Sequence, residues 1–295
     1  MKDTYQDITD RIVGMIENNP GQWLMPWAGG AHVSLATGKR YRGINVCLLN
    51  SAAAAKGYKS RVWGTYKQWA AHGGQVRKGE HATRILLWKT ADKKTEDENG
   101  EIKVKKYLFA REFTVFNAEQ QDGATVTEPG AMTDIESHEA AEEIITASGA
   151  IIEYGGDRAF YAPSVDQIRL PNRDTFTATR SSTREQAFYG TAFHELGHWT
   201  GHKSRCDRDM SGRFGDAAYA MEELIAELTA AFTCGHCGVS IEPRKDHAQY
   251  MASWLTVLKN DKRAIFTAAS KAQAAADFLI GAVADEQGQD ETAAA

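Results

Sequence analysis

The sequence predicts an α+β protein of two domains, and three observations support that prediction. The chain has 295 residues, which exceeds the usual size of a single hydrophobic core. Through residue 125 it carries 19 Lys and Arg against 13 Asp and Glu, whereas the remainder carries 15 against 26. Helical and strand-like patterns occur in both halves. We therefore expect domains at residues 1–122 and 135–295, joined at residues 123–134 by a polar linker rich in turn-forming residues.

The N-terminal half begins with an amphipathic helix over residues 7–18, because Ile8, Ile12, Val13 and Ile16 recur on one face. Two further helices are predicted, and a tight turn with three glycines follows them. Two strands are then predicted to pair across a polar loop. In chain order these elements are helices 45–56 and 65–71, turn 73–79, strand 84–89, loop 92–100 and strand 103–116.

Basic and aromatic residues are interleaved in this half. Between Thr37 and Lys89 there are 11 basic residues and a single acid, Glu80, and five of the seven tryptophans precede residue 90. Because Lys and Arg follow phosphates while unstacked bases lie on aromatic rings, this pattern favours binding of single-stranded nucleic acid. The alternative is that the tryptophans form a core and the basic residues a solvated surface. The predicted nucleic-acid contacts are Lys39, Arg40, Tyr41, Arg42, Asn45, Trp63, Tyr66, Arg77 and Lys78.

The sequence patterns of the C-terminal half predict a mostly helical domain with a small sheet. Three short strands at residues 150–154, 158–162 and 166–170 precede the longest helical patterns and should form that sheet. The predicted helices are residues 136–148, 183–200, 217–233, 244–258 and 262–282.

Residues 194–198 read His-Glu-Leu-Gly-His within the predicted helix 183–200. On a helix, His194 and His198 point the same way, so their imidazoles can share one metal ion. Zinc lowers the pKa of a coordinated water to about 7, and Glu195 is placed to accept its proton. The motif therefore predicts a hydrolytic metal site, with Zn²⁺ as the expected cofactor and Mn²⁺ as the alternative. Tyr219 and His202 are candidates for polarising the carbonyl of a substrate.

A third ligand is expected from the predicted helix 217–233. His202 would lie about 12 Å along the helix axis from His194, and Ser204 stands where an extended histidine motif would place its third ligand. Glu223 and Glu227, one turn apart, resemble the gluzincin arrangement. That resemblance implies that Glu223 binds zinc and that Glu227 holds a histidine N–H. Glu227 as the ligand is one alternative, and a purely structural glutamate pair is another.

The cysteines and the hydropathy pattern predict a cytoplasmic protein. Cys234 and Cys237 form Cys-Gly-His-Cys, but they follow a helix rather than a strand, so we interpret them as reduced thiols. No run of 18 apolar residues is present, and the N-terminal residues lack the apolar segment of a signal peptide. We therefore expect no association with a membrane.

Motifs along nearly the whole chain resemble those of the ArdC family of plasmid antirestriction proteins. The N-terminal half contains Thr-Gly-Lys-Arg-Tyr-Arg-Gly-Ile-Asn, Trp-Gly-Thr-Tyr-Lys-Gln-Trp and Gly-Gly-Gln-Val-Arg-Lys-Gly-Glu. The C-terminal half contains His-Glu-Leu-Gly-His-Trp-Thr-Gly-His, Ser-Arg-Cys-Asp-Arg and Glu-Glu-Leu-Ile-Ala-Glu. The resemblance implies a single-stranded-DNA-binding domain followed by a zincin-like, gluzincin-type metallopeptidase domain. It also implies protection of incoming plasmid DNA from host restriction during conjugation, in a bacterial cytoplasm and after transfer to the recipient cell.

Two hypotheses of different class follow. In the first, the protein binds the entering strand, and the metal site is secondary. In the second, it is an active zinc-dependent protease that cleaves a host protein, with the DNA-binding domain as a localising module. Antirestriction by a Glu195→Ala protein distinguishes the two.

Overall fold

The computed structural model describes residues 3–18, 31–96, 102–130, 132–179, 182–212, 216–239 and 248–293. The chain forms two compact units. The smaller unit comprises residues 33–40 and 56–129, and the larger unit comprises residues 1–32, 41–55 and 130–295. Two N-terminal segments therefore belong to the larger unit. The predicted domains, residues 1–122 and 135–295, stay a prediction, because a compact unit need not fold on its own.

Helices and small sheets alternate along the described residues, which confirms the predicted α+β class. The helices are α1 Thr4–Asn18, α2 Ile44–Lys56, α3 Tyr66–Ala71, α4 Asp134–Ala147, α5 Arg184–Trp199, α6 Ala217–Cys237, α7 Ala248–Asn260 and α8 Ala264–Ala293. The strands are β1 Val33–Ser34, β2 Val62–Gly64, β3 Gln75–Val76, β4 Thr83–Glu96, β5 Ile102–Asn117, β6 Gln121–Asp122, β7 Ile151–Tyr154, β8 Phe160–Ala162 and β9 Gln167–Leu170.

The smaller unit is built on a four-stranded sheet of order β1-β2-β5-β4. Strands β4 and β5 form the predicted antiparallel pair, with Thr83 opposite Val115 and Glu96 opposite Ile102. β4 therefore continues into the predicted loop 92–100, of which residues 97–100 lie outside the described residues. The prediction of a shorter strand was wrong because β5 offers a backbone partner to every residue of β4 as far as Glu96.

Tryptophans form much of the interior of the smaller unit. Trp63 and Trp69 are both 0% exposed, and Trp69 Nε1 donates a hydrogen bond to the Phe116 carbonyl at 3.0 Å. Trp69 packs in a cluster with Val62, Val76 and Ala118. For these two tryptophans, the alternative of a structural core is therefore the correct one.

The predicted turn at residues 73–79 contains a short strand. Gly73 and Gly79 have φ values of 79° and 89°, which glycine adopts without steric cost. Between them, β3 pairs antiparallel with β6, with Val76 opposite Gln121. The glycines therefore reverse the chain on either side of a two-residue strand, which the local pattern alone did not predict.

The larger unit packs helices against one face of a three-stranded sheet of order β7-β9-β8. Phe188, Phe193 and Leu196 of α5 share a core cluster with Ile168 and Leu170 of β9. β8 is an edge strand that pairs antiparallel with β9. This arrangement places an edge strand of the sheet, as the described residues form it, next to the helix that carries the His-Glu-Leu-Gly-His motif.

Helices α1 and α2 join the larger unit through specific contacts. Thr9 Oγ1 donates to the Lys262 carbonyl at 2.9 Å, and the Gly43 amide that precedes α2 donates to Gln273 Oε1 at 2.8 Å. The predicted apolar face of α1 is buried, with Ile12 at 0% exposure. These contacts are made with residues more than 200 positions away along the chain, so local periodicity did not predict them.

Helix α6 ends four residues later than predicted. Gly238 follows it with φ of 74°, and its N–H bonds the Cys234 carbonyl, which is a glycine-based helix end. Cys234 and Cys237 are therefore both buried in the last turn of α6. No disulfide joins the four cysteines of the chain, all of which the structure describes. Among the described residues, no helix is long and apolar enough to cross a membrane.

Candidate metal centre

The two histidines of the motif converge on one point. Helix α5 begins at a capping box in which Thr183 and Gln186 exchange hydrogen bonds, and it continues without interruption through the motif. His194 and His198 lie one turn apart, and their Nε2 atoms are 3.2 Å apart. Two unprotonated nitrogens at this distance repel each other, whereas both can bind one shared cation.

Helix α6 brings a carboxylate to the same point. Gly197 of the motif faces Ala226, and a Cβ at Gly197 would lie 3.0 Å from the Ala226 Cα. The missing side chain therefore lets α5 and α6 approach closely. As a result, Glu223 oxygens lie 3.5 Å from His194 Nε2 and 3.6 Å from His198 Nε2.

These three residues fit the donor set of a divalent metal. One ligand atom from each of His194, His198 and Glu223 lies within 4.8 Å of the others. Two imidazoles and one carboxylate, with a position left open toward a cavity, form a common catalytic zinc donor set. Burial raises the pKa of the Glu223 carboxyl, but the hydrogen bond and charges of the two histidines outweigh it and lower the pKa to about 2. The Glu223 carboxyl group is therefore ionised at neutral pH.

The outer nitrogens of both rings face further carboxylates. Glu227 Oε2 lies 3.3 Å from His194 Nδ1; that Glu227 holds a histidine N–H stays a prediction. Glu222 Oε1 lies 3.2 Å from His198 Nδ1, a contact that our sequence analysis missed. The sequence carries no local signal for it, because α5 and α6 must cross before these two atoms meet. If each Nδ1 carries its proton toward the neighbouring carboxylate, the lone pairs of both Nε2 atoms are available to a metal.

The buried charged groups around the centre carry an excess of negative charge. Four carboxylates lie at 7% exposure or less, and Arg208 is a buried positive charge beside one of them. Buried anions are stable only when they are paired or bind metal. A divalent ion would offset most of this excess. The four buried carboxylates are Glu195, Glu222, Glu223 and Glu227.

A cavity of about 340 Å³ opens onto the three donors. Glu195 lines it, together with Phe160 and Tyr161 of the edge strand β8. Tyr219, one of the two predicted carbonyl-polarising groups, also lines the cavity. His202, the other, has its Nδ1 atom 2.8 Å from Ser204 Oγ. The structure therefore brings Glu195 and Tyr219, but not His202, to the cavity beside the donors.

The predicted nucleic-acid contacts lie in both compact units. Lys39, Arg40, Trp63, Tyr66, Arg77 and Lys78 belong to the smaller unit, and Tyr41, Arg42 and Asn45 to the larger. The side chain of Trp63 is fully buried, so its inclusion as a contact was wrong: a ring without an exposed face cannot stack on a base. Arg42 bonds the carboxylate of Asp277.

Three of these residues line one open groove of the smaller unit, which has a volume of about 550 Å³. Tyr66 is 50% exposed, and Lys78 is exposed beside it. Arg77 is paired with the carboxylates of Glu80 at 2.9 Å and Asp122 at 3.2 Å. These pairs position the Arg77 guanidinium and reduce its availability to phosphate, so Tyr66 and Lys78 are the more accessible groups.

Two family profiles match the chain. The profile described as a zincin-like metallopeptidase matches residues 139–271, which include the candidate metal centre. The fold and the site therefore define a protein with a zincin-like domain. The profile described as the N-terminal domain of the anti-restriction factor ArdC matches residues 2–116. The chain belongs to the ArdC antirestriction family, as the motifs predicted.

Solved structures and curated relatives agree with this membership. The metal-free crystal structure of the antirestriction protein ArdC from plasmid R388 is 41% identical, with a TM-score of 0.77, over 96% of this chain and 99% of that chain. Its Mn(II)-bound structure has a TM-score of 0.74 at 40% identity, with the same coverage of both chains. The uncharacterised protein y4eC of Sinorhizobium fredii (strain NBRC 101917 / NGR234) is 43% identical over 97% of this chain and 94% of its own length. A DNA primase TraC of Escherichia coli is 40% identical over 99% of this chain, which spans 28% of that primase.

Proposed function

We propose that this protein binds single-stranded DNA and protects incoming plasmid DNA from host restriction during conjugation. The observation that carries the proposal is the 41% identity over 96% of the chain to the antirestriction protein ArdC of plasmid R388. The proposed location is the bacterial cytoplasm, with transfer to the recipient cell.

The charge distribution supports a nucleic-acid partner. The smaller unit has 16 Lys and Arg against 10 Asp and Glu, a net charge of +6, although the whole chain has a net charge of −5. In the groove of that unit, Gln75 Nε2 donates to the Tyr66 hydroxyl at 2.7 Å, which orients the exposed ring. A base could stack on Tyr66 while Lys78 contacts a phosphate. Lys39 and Arg40 add exposed positive charge.

We expect purified protein to bind single-stranded DNA more tightly than duplex of the same length. The logarithm of the binding constant should fall with the logarithm of salt concentration by about 0.7 per phosphate contact. Tyr66→Ala should cost about 1–3 kcal/mol per stacked base lost, and Lys78→Ala should reduce the salt slope. Lys271→Ala, at an exposed position of the larger unit, is the matched control. Equal affinity for duplex DNA, or a binding constant that does not change with salt concentration, would contradict the proposal.

We further propose that His194, His198 and Glu223 hold a divalent metal, with Zn²⁺ expected and Mn²⁺ as the alternative. The convergence of their ligand atoms within 4.8 Å supports this set. Glu227 faces Nδ1 of His194 at 3.3 Å, which favours Glu223 over Glu227 as the third ligand. The Mn(II)-bound structure of the R388 protein supports a divalent ion in this family.

A second candidate function is zinc-dependent proteolysis of a host protein. It is favoured by the cavity, where Glu195 and the edge strand β8 lie beside the three donors. A bound metal would supply a Lewis acid. Glu195 would accept a proton from the attacking water, and the Tyr219 hydroxyl would donate to the carbonyl oxygen of the peptide. The edge strand β8 would pair with an extended substrate.

Substitution of Glu195 separates the two functions. We expect Glu195→Ala to retain full antirestriction activity in conjugation into a restricting host, because binding of DNA does not use this carboxylate. Single-stranded-DNA affinity and thermal stability, measured on the same protein, are the controls. Loss of antirestriction with both controls unchanged would favour proteolysis as the function instead.

A further inference from the structure

Arg208 is a buried arginine whose hydrogen bonds all point toward the metal centre or the end of α5. Its side chain is 3% exposed. The guanidinium binds both Glu222 oxygens, with Nη2–Oε1 at 2.7 Å and Nε–Oε2 at 2.9 Å. It also donates to the Gly197 carbonyl at 2.6 Å and to Thr200 Oγ1 at 2.8 Å. Such a two-point pair fixes the plane of the carboxylate as well as its position.

The carboxylate held in this way faces a histidine ring. The Glu222 oxygen that accepts from Arg208 Nη2 also lies 3.2 Å from Nδ1 of His198. A carboxylate that accepts a hydrogen bond from Nδ1–H leaves the lone pair of Nε2 available to a metal and fixes the rotation of the ring. Arg208 therefore contacts Glu222, and Glu222 contacts Nδ1 of His198. The opposite nitrogen of that ring, Nε2, faces Glu223.

We propose that Arg208 and Glu222 are a positioning pair that orients His198 for the metal. Arg208 acts through Glu222 and does not touch the metal itself. This inference rests on the metal site proposed above. The pair combines one positive and one negative charge, so it orients the ring without adding net charge to the centre. The excess negative charge of the remaining buried carboxylates is then left for the metal to offset.

The chain after α5 makes room for this pair. A Cβ at Gly201 would lie 2.9 Å from Arg208 Nη2 and 2.6 Å from Met210 Sδ. Gly201 therefore leaves the space through which Arg208 reaches Glu222. In the sequence, this glycine stands at the position expected in an extended histidine motif whose third histidine is replaced by Ser204. Because Gly201 has no side chain, the Arg208 guanidinium fits next to it.

Arg205 provides a matched control, because it ties the same loop to the protein without contacting Glu222 or the proposed metal ligands, although its Nη2 donates to the hydroxyl of Tyr161 at 3.3 Å. Its Nε donates to the Trp199 carbonyl at 2.6 Å, and its Nη1 donates to Asp166 Oδ2 at 3.0 Å. Its guanidinium also stacks on the Trp199 ring, with 3.8 Å from Cζ to the ring centroid. Loss of Arg205 therefore loosens the loop but leaves Glu222 and His198 in contact.

The experiment measures the Zn²⁺ dissociation constant of the full chain by competition with a chelator. We expect Arg208→Met and the isosteric Glu222→Gln each to weaken Zn²⁺ binding by about 10–100-fold. The Co²⁺-loaded forms should show altered visible absorption, because the ring of His198 is no longer fixed. Arg205→Met should have the affinity and the Co²⁺ spectrum of the wild type, even if its melting temperature falls.

Each outcome decides between the proposals. If the wild type binds no Zn²⁺ or Co²⁺, the proposed metal site is wrong. If the wild type binds and Glu222→Gln binds equally well, or Arg208→Met keeps the wild-type Co²⁺ spectrum, the positioning role is overturned. If Arg208→Met does not fold, Glu222→Gln decides alone. If Arg205→Met weakens binding as much as Arg208→Met does, the effect belongs to the loop, and the inference is also overturned.

Discussion

At the scale of single residues, the surroundings of a histidine decide what it can do. His198 faces Glu223 through Nε2 and Glu222 through Nδ1, so each ring nitrogen lies next to a carboxylate. His202, four positions later, contacts Ser204 in the loop that follows α5. The two side chains are chemically identical and close in sequence, yet only the first has the environment of a metal ligand.

We expect His198→Ala to abolish stoichiometric Zn²⁺ binding, because it removes one of three protein donors. Excess Zn²⁺ should raise the melting temperature of the wild type and leave that of the variant unchanged, since only binding to the folded state stabilises it. Metal content and thermal unfolding with and without Zn²⁺ test this. His202→Ala is the control and should behave as the wild type. Full metal occupancy in His198→Ala would rule out the proposed ligand set.

At the scale of elements, the centre depends on how closely α5 and α6 approach. His194 and His198 come from one helix, and Glu222, Glu223 and Glu227 from the other. The contact between Gly197 and Ala226 sets the separation of these helices at the level of the motif. The glycine of His-Glu-Leu-Gly-His therefore contributes to the site without offering any chemical group.

Gly197→Ala should destabilise the protein by about 1–3 kcal/mol, because the new methyl group would lie 3.0 Å from the Ala226 Cα and 3.1 Å from its carbonyl oxygen. We also expect weaker Zn²⁺ binding, since separation of the helices draws Glu223 away from both rings. Urea unfolding and chelator competition measure the two effects.

Gly281→Ala is the control for helix propensity. Gly281 lies in α8, and a Cβ there would have no atom within 4 Å. Alanine should stabilise that helix by up to about 1 kcal/mol without changing Zn²⁺ affinity. If both substitutions stabilise the protein equally, the close approach of α5 and α6 is not a constraint.

At the scale of the whole molecule, the two compact units carry net charges of opposite sign, as the two halves of the sequence do. The smaller unit has a net charge of +6, and the larger has 18 Lys and Arg against 29 Asp and Glu, a net charge of −11. A polyanion such as DNA is attracted to the first and repelled by the second within a Debye length of about 8 Å at physiological salt. The zincin-like domain is therefore not expected to bind DNA by itself.

A fragment of residues 130–295 should be unstable, because it lacks α1 and α2. Both helices belong to the larger unit, where Tyr5 packs edge-on against Phe266 with 4.8 Å between ring centroids. We expect a lower melting temperature and weaker Zn²⁺ binding than in the full chain. Calorimetry and metal titration on both proteins test this.

The control removes residues only from the smaller unit. In the full chain, residues 91–107 are replaced by an Asn-Gly turn that connects Thr90 to Leu108, which are paired in the β4–β5 ladder. This variant should keep the Zn²⁺ affinity of the full chain. A 130–295 fragment as stable as the full chain would show that α1 and α2 are dispensable for the larger unit.

The sequence by itself determined the local features of this protein. The helical period predicted α1, α5 and α6, strand patterns predicted the β4–β5 pair, and the spacing of His194 and His198 predicted a metal site. The order of motifs also predicted the ArdC family. These features could be predicted because periodicity and short motifs depend on residues within a few turns of one another.

Only the tertiary structure decided which side chains meet across elements. It buried Trp63 and Trp69 despite their place in a basic, aromatic segment, and it assigned α1 and α2 to the larger unit. It also brought Arg208 and Glu222 to His198, a contact between residues on three segments of the chain. Such contacts depend on how close two helices can pack, and that distance is set by side chains remote in sequence, such as Gly197 and Ala226.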